Sequence, residues 1–219
     1  MTSALAVFDC DGTLVDSQHS IVAAMTRAFE GAKLAPPERP AILSIVGLSL
    51  PHAMARLLPD AEADYHHHLA ERYKRAFHAL RGDGQVHEPL YPGIADLIAD
   101  LDAAGWLLGI ATGKSDRGLD IVLRHHGLLP RFVTLQTADR HPSKPHPSML
   151  HTAMAEAGAT PEATVMIGDT LFDIDMARAA GVRAIGVGWG YHNPQDLRDA
   201  GAHAVAMDSA ALRGHIGAP

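Results

Sequence analysis

The sequence predicts an α/β protein: a doubly wound parallel sheet interrupted by an inserted helical cap. Three observations carry that prediction. The chain starts with a wholly apolar run, Leu5-Ala6-Val7-Phe8; the stretch from about Ser17 to Gly84 is helical in pattern throughout; and from Gly105 onward short apolar runs alternate with helical patterns. At 219 residues, 47% hydrophobic and 20% charged, the chain is long enough for one large core, or for a core domain with a small insertion.

In order, Leu5–Phe8 predicts a first strand, apolar without alternation because a central parallel strand is covered on both faces. In the insert, Ile21, Ala24, Met25, Ala28 and Phe29 recur at helical spacing, and so do Tyr65, Leu69, Tyr73, Ala76, Phe77 and Leu80, so both stripes are expected to be core. Asp16-Ser17 and Val86 to Gly93, with Pro89 and Pro92, are the expected linkers, adjacent in space and able to let the insert rock as a lid. This gives a core of residues 1–16 and 85–219 and a cap of residues 17–84. Further strands are predicted at Trp106–Ala111, Phe132–Leu135, Thr164–Ile167, Arg183–Val187 and Ala202–Ala206. Ser115 and Asn193-Pro194 read as helix starts, and Gly127, Gly158, Gly181 and Gly201 as helix stops.

Composition excludes some partners. A net charge of -7 and a pI near 6.1 argue against a nucleic-acid groove or an anionic membrane surface. Cys10 is the only cysteine and can form no internal disulfide. No signal-like segment precedes Leu5 and no apolar run approaches spanning length, so the expectation is a soluble, cytoplasmic monomer or homodimer acting on a small phosphorylated metabolite.

The chemistry-bearing residues fall at strand ends. Asp9 and Asp11 follow the first strand; the alternation of strand side chains places them on one side, at the crevice where open α/β sheets bind ligands. Two such acids can divide their labour, one ionised beside a cation and able to attack, the other holding a proton for a leaving group. Thr112-Gly113 offers a hydroxyl and a backbone N–H to a phosphate oxygen. Lys144 stands in Ser143-Lys144-Pro145-His146-Pro147, a stiff loop that presents a point cation. Asp169 closes the strand Thr164–Ile167 and faces the crevice shared with Asp9, a third corner for a hard cation such as Mg²⁺. Asp173 reads as the far end of a capping box with Thr170, compatible with a supporting role to the metal or to Lys144; Asp175 is only a helix residue.

Taken together, Asp9-Cys-Asp11-Gly-Thr-Leu-Val-Asp-Ser17, Ala111-Thr112-Gly113, Lys144-Pro145 and Gly168-Asp169-Thr170 with Asp173 resemble, in order and over the whole length, the haloacid dehalogenase superfamily of phosphohydrolases, with the insert where that family's C1 cap sits. Within it the chain looks most like the phosphoglycolate phosphatases and their close relatives. The resemblance implies a Rossmann-like core and a phosphomonoester hydrolase. It further implies Asp9 as nucleophile, Asp11 as acid and then base, and Mg²⁺ held by Asp9, the Asp11 backbone carbonyl and Asp169. Thr112, Gly113 and Lys144 would hold the phosphate, with Asp173 behind them.

Rival readings are weaker. A dehalogenase needs no acid at position 11. A phosphonatase needs a cap lysine, and Lys33 and Lys74 are not expected near the loop Val46–Leu50, where the cap should meet substrate. In similar sugar phosphomutases a cap arginine stands near the position of Leu50; here Arg56 could supply a replacement cation. Inorganic pyrophosphate hydrolysis stays open. A phosphoaspartate receiver is shorter and uncapped and puts its acceptor acid on a later strand, while a degenerate binding or regulatory protein would have lost a catalytic position, and none is missing. His66-His67-His68 are expected to be solvated and His125-His126 to favour a helix C-terminus; His19, His52 and His141 could approach the cleft.

Overall fold

A computed structural model describes residues 3–219. Six parallel strands, β1 (Leu5–Phe8), β2 (Leu107–Thr112), β3 (Thr134–Thr137), β4 (Thr164–Gly168), β5 (Arg183–Val187) and β6 (Ala204–Ala206), form one sheet in the order β3-β2-β1-β4-β5-β6. The order reverses between β1 and β4, the place where such sheets open a crevice beyond their carboxyl ends. Every residue of β1 is fully buried, as its unbroken apolar run requires.

The described residues also form ten α-helices: α1 (Gln18–Gly31), α2 (Arg39–Leu43), α3 (Leu50–Leu57), α4 (Ala63–Gly82), α5 (Ile94–Ala103), α6 (Asp116–His125), α7 (Ser148–Ala157), α8 (Leu171–Ala179), α9 (Pro194–Asp199) and α10 (Ser209–Ile216). Helices α5, α6 and α10 bury Ile98, Leu119 and Leu212 on one sheet face, and α7, α8 and α9 bury Leu150, Ile174 and Leu197 on the other. The predicted starts hold: Ser115 Oγ accepts from the Gly118 N–H and Asn193 Oδ1 from the Gln195 N–H.

Helices α1 to α4 interrupt the sheet after β1 and share their own core around Met25, Phe29, Ile42, Met54 and Leu69. The two crossings into this insert run side by side, with the Asp16 N–H donating to Pro89 O (2.8 Å) and the Tyr91 N–H to Leu14 O (3.0 Å). No helix among the described residues is long and apolar enough to cross a membrane.

Four expectations are corrected. Strand β3 lies two residues later than its apolar signal: Leu129–Arg131 form a 3₁₀ turn, and the strand itself buries Thr134, Gln136 and Thr137, whose side chains are satisfied by Glu156 and Asp116. The last strand begins at Ala204, after the His203 N–H has bonded Ala184 O. His66 is buried rather than solvated; it lies one turn from Leu69 and Ala70 on the inner face of α4, with Nε2 2.8 Å from Leu58 O. Tyr73 and Phe77, read as core, are half-buried: they pack against the insert core on one side and line a cavity on the other.

Candidate active site

Phe8, the last residue of β1, pairs with both Ile110 and Ile167, β2 and β4 run on past it to Thr112 and Gly168, and the Asp9 N–H donates to Ile167 O (2.8 Å). The chain leaves the sheet at Phe8, so strand alternation no longer fixes the two acids, and they enter different surroundings.

Asp9 is buried. Its Oδ1 accepts from the Cys10 N–H (2.7 Å) and pairs with Lys144 Nζ (3.0 Å), while its Oδ2, also buried, has no hydrogen-bond partner. Lys144, fully buried, also reaches Asp173 Oδ1 (2.6 Å). Asp173 Oδ2 accepts from the Thr170 N–H (3.1 Å) and hydroxyl (2.7 Å), so it both completes the helix cap and holds the lysine. Asp169 is placed by Thr13 Oγ1 (2.9 Å) and the Tyr191 N–H (2.9 Å). A Cβ at Gly12, where φ is +84°, would sit 2.2 Å from Asp169 Oδ2, so the turn after Asp11 must be a glycine for the first and fourth strand ends to meet.

Carboxylate oxygens of Asp9, Asp169 and Asp173 lie within 4.8 Å of one another. Three buried anions this close are short of positive charge with one lysine among them. Burial first, then Asp173 and Asp11 working against Lys144, pushes the Asp9 carboxyl from 3.8 up to about 7. Burial, Asp9 and Asp173 raise Asp169 as well. Burial opposes the charge of Lys144, yet Asp173 and Asp9 outweigh it and hold its pKa above the usual lysine value. The bare Oδ2 of Asp9, the neighbouring Asp169 and the all-oxygen donor set fit a hard divalent cation; Asp173 is already committed to Lys144 and Thr170.

Asp11 faces elsewhere. Its Oδ1 accepts from Lys114 Nζ (2.7 Å) and from the Ser17 hydroxyl, and Ser17 in turn meets Tyr191 Oη (3.1 Å). Lys114 also pairs with Glu88 (2.9 Å), which pairs with Arg81 (2.6 Å). Burial opposes this lysine's charge too, but Asp11 and Glu88 hold its pKa well above the ordinary value. Asp11 Oδ2 has no hydrogen bond among the described residues, and the Asp11 side chain opens onto a cavity of about 280 Å³ between insert and sheet. Thr112 is the last residue of β2 rather than the first beyond it, with Oγ1 accepting from the Lys114 N–H (3.3 Å). Gly113 lies beneath the insert: a Cβ there would be 2.6 Å from Gly47 O and 2.7 Å from Leu48 O.

Asp9, Lys144, Asp169 and Asp173 come together in one cluster and Asp11 and Gly113 line the adjoining cavity, but the sequence reading missed Lys114, Glu88, Arg81, Ser17, Thr13 and Tyr191 around them. Lys114 carried a signal, since it directly follows Thr112-Gly113. Leu50 lines the cavity as expected; Arg56 is exposed and does not. Lys74, expected to be remote from Val46–Leu50, lines the same cavity, because α4 runs back across it, although its ammonium is exposed and paired with Glu71. His19 and His52 are exposed and outside the cavity, and His141 bonds Ser148 and Gln136 instead. His126 caps α6 with Nε2 2.7 Å from Glu88 O.

Comparison with known proteins agrees with this geometry. A protein described as probable phosphatase IndB, from Dickeya dadantii (strain 3937), is 36% identical over 198 residues, covering 90% of this chain and 86% of that protein. A phosphoglycolate phosphatase from Nitrosococcus oceani is 30% identical over 198 residues, covering 89% and 88%. The crystal structure of a predicted phosphatase from Clostridium acetobutylicum superposes with a TM-score of 0.88 at 23% identity over 99% of both chains, which shows the shared fold. The sequence pattern of the haloacid dehalogenase-like hydrolases matches residues 6–187, and the chain belongs to that family.

Proposed function

We propose that the protein is a Mg²⁺-dependent phosphatase that hydrolyses a phosphomonoester through an aspartyl-phosphate on Asp9. The observation that carries this reading is the buried Asp9 carboxylate, gripped at one oxygen by Lys144 and the Cys10 N–H and bare at the other, beside Asp169. Asp9, Asp169 and the Asp11 backbone carbonyl would hold the cation, which when bound supplies the charge that offsets repulsion between a carboxylate nucleophile and a phosphoryl group.

The residues divide the work. Lys144, Thr112 and the Gly113 N–H hold the equatorial phosphoryl oxygens, where charge spreads in the transition state. Asp9 attacks phosphorus in line, the bond from phosphorus to the ester oxygen breaks, and Asp11 gives its proton to the leaving alkoxide. Asp11, now an anion, takes a proton from the water that attacks the aspartyl-phosphate, releasing inorganic phosphate and restoring both acids. Because Asp11 Oδ1 is engaged by Lys114 and Ser17, Oδ2 is the oxygen left for these transfers. A mutase would need a second phosphate grip in the insert; Leu50 lines the cavity, Arg56 lies outside it, and the insert's Lys74 and Arg81, which do line it, are paired with Glu71 and Glu88, which supports hydrolysis.

The test is Asp9→Asn in the purified protein with Mg²⁺. Hydrolysis of p-nitrophenyl phosphate falls by at least about 10³-fold with the fold retained by circular dichroism; retained turnover would refute the nucleophile. Asp11→Asn costs more with an alkyl ester, whose leaving group needs the proton, than with the aryl ester, and equal losses would remove its acid role.

A further inference from the structure

Resting on that reading, we propose that the leaving group is an alcohol with an apolar body of at least phenyl size, not a two- or three-carbon polar acid. The cavity identifies itself as the leaving-group pocket by which acid it exposes: Asp11, the proton donor to the ester oxygen, lines it together with Gly113, whereas Asp9, Asp169 and Lys144 do not. A phosphoryl group held at Lys144 and Gly113 therefore turns its ester oxygen past Asp11 and into this space.

The walls are apolar. Ile21 and Met25 of α1, Val46 and Leu48 of the loop before α3, Leu50 of α3 and Phe77 of α4 face inwards. The cations near Asp11 are already matched: Lys114 is shared by Asp11 and Glu88, and Arg81 is paired with Glu88. Lys74, His78 and Arg117 stand at exposed positions around the mouth. A small carboxylate entering here would meet only the Tyr73 hydroxyl and cations already paired, and would leave the apolar walls wet, an unfavourable arrangement for water that needs polar partners. A space of about 150 Å³ suffices for benzene, so about 280 Å³ takes a phenyl ring and the short tether joining it to the ester oxygen. The exposed Arg117 adds positive charge beside the cavity, which draws the dianionic phosphate to an otherwise acidic protein.

The test uses primary alkyl phosphates, whose leaving alcohols have nearly equal acidity, so that rate differences report binding and not the chemical step. With Mg²⁺, kcat/KM for 3-phenylpropyl phosphate exceeds that for ethyl phosphate and for phosphoglycolate by at least about tenfold. In Phe77→Ala and Leu50→Ala the ratio of phenylpropyl to ethyl shrinks. Hydrolysis of p-nitrophenyl phosphate together with a phenylpropyl-to-ethyl ratio near one, or with phosphoglycolate preferred, overturns the apolar pocket and leaves the phosphatase reading intact. Calorimetric binding of 3-phenylpropylphosphonate and ethylphosphonate separates the two ideas if no ester turns over: tenfold tighter binding of the phenyl compound supports the pocket while the phosphatase reading falls, and equal affinities overturn the pocket too.

Discussion

Replacing Lys144 with methionine keeps an unbranched side chain that ends one atom short of the ammonium and removes the cation held among three buried carboxylates. Lys144 Nζ is 2.6 Å from Asp173 and 3.0 Å from Asp9, with all three side chains essentially inaccessible to solvent. Asp173 keeps the two donors of Thr170 and Asp9 keeps the Cys10 N–H, so neither acid is stripped bare, but their charges face each other without compensation. Removing one partner of a buried pair costs about 3–5 kcal/mol. For a chain of this size each kcal/mol is worth about 2–4 °C, so the metal-free variant unfolds roughly 6–20 °C below the parent at pH 7.5. The loss shrinks at pH 5. An acid raised from 3.8 to about 7, as Asp9 is, favours the folded state below about pH 4, and that contribution is lost as pH rises through 7; at pH 5 Asp9 carries its proton and the repulsion falls. The assay is thermal unfolding by circular dichroism in chelator at both pH values, with Lys144→Met/Asp173→Asn as the relief variant. A melting temperature within about 2 °C of the parent at pH 7.5, or a deficit that grows at pH 5, would refute the electrostatic account.

Two further outcomes follow from particular contacts. Gly113→Ala places a methyl 2.6 Å from Gly47 O, so the insert cannot settle on the turn after β2; kcat/KM for any substrate falls at least about tenfold, and an unchanged value would show that this contact is not made during turnover. His192 accepts the Leu171 N–H at Nδ1 (3.1 Å) and lies 3.2 Å from Ser44 O in the insert; burial lowers its pKa below 6.5, against the opposing pull of Ser44 O, Asp173 and Asp196. A base depressed in the folded state stabilises it above pH 6.5 and loses that contribution as pH falls, so urea stability drops below pH 6.5 with a slope of up to about 1.4 kcal/mol per unit, and His192→Gln flattens it; an identical slope in the variant would rule the histidine out.

What could be read from the sequence depended on how far apart the interacting residues are. Leu5–Phe8 and Arg183–Val187 were legible because a doubly covered strand must be apolar, and Asp9, Asp169 and Lys144 because each follows such a run or sits in a proline-stiffened turn. Strand β3 was misplaced because its buried Thr134, Gln136 and Thr137 look like loop residues until Glu156 and Asp116 are brought to them by α7 and α6. Glu88 was invisible for a related reason. It sits in a linker, and its importance arises only because the two crossings lie side by side and place it against Lys114, 26 residues on, which in turn reaches Asp11 across 103 residues.

That same arrangement places two acids two residues apart in different surroundings. Asp9 is held entirely by core elements: it directly follows β1, and Lys144 from the loop before α7 and Asp173 from the first turn of α8 enclose it. Asp11 is held by the crossings: Ser17 belongs to the first, and Glu88, through Lys114, to the second. A displacement of the insert would therefore strain the hydrogen bonds that aim Asp11 while leaving those of Asp9 intact. On the proposed mechanism, the nucleophile would thus be tied to the sheet, and the acid that must find the ester oxygen of a varying leaving group would be tied to the element whose apolar side chains line the cavity beside it.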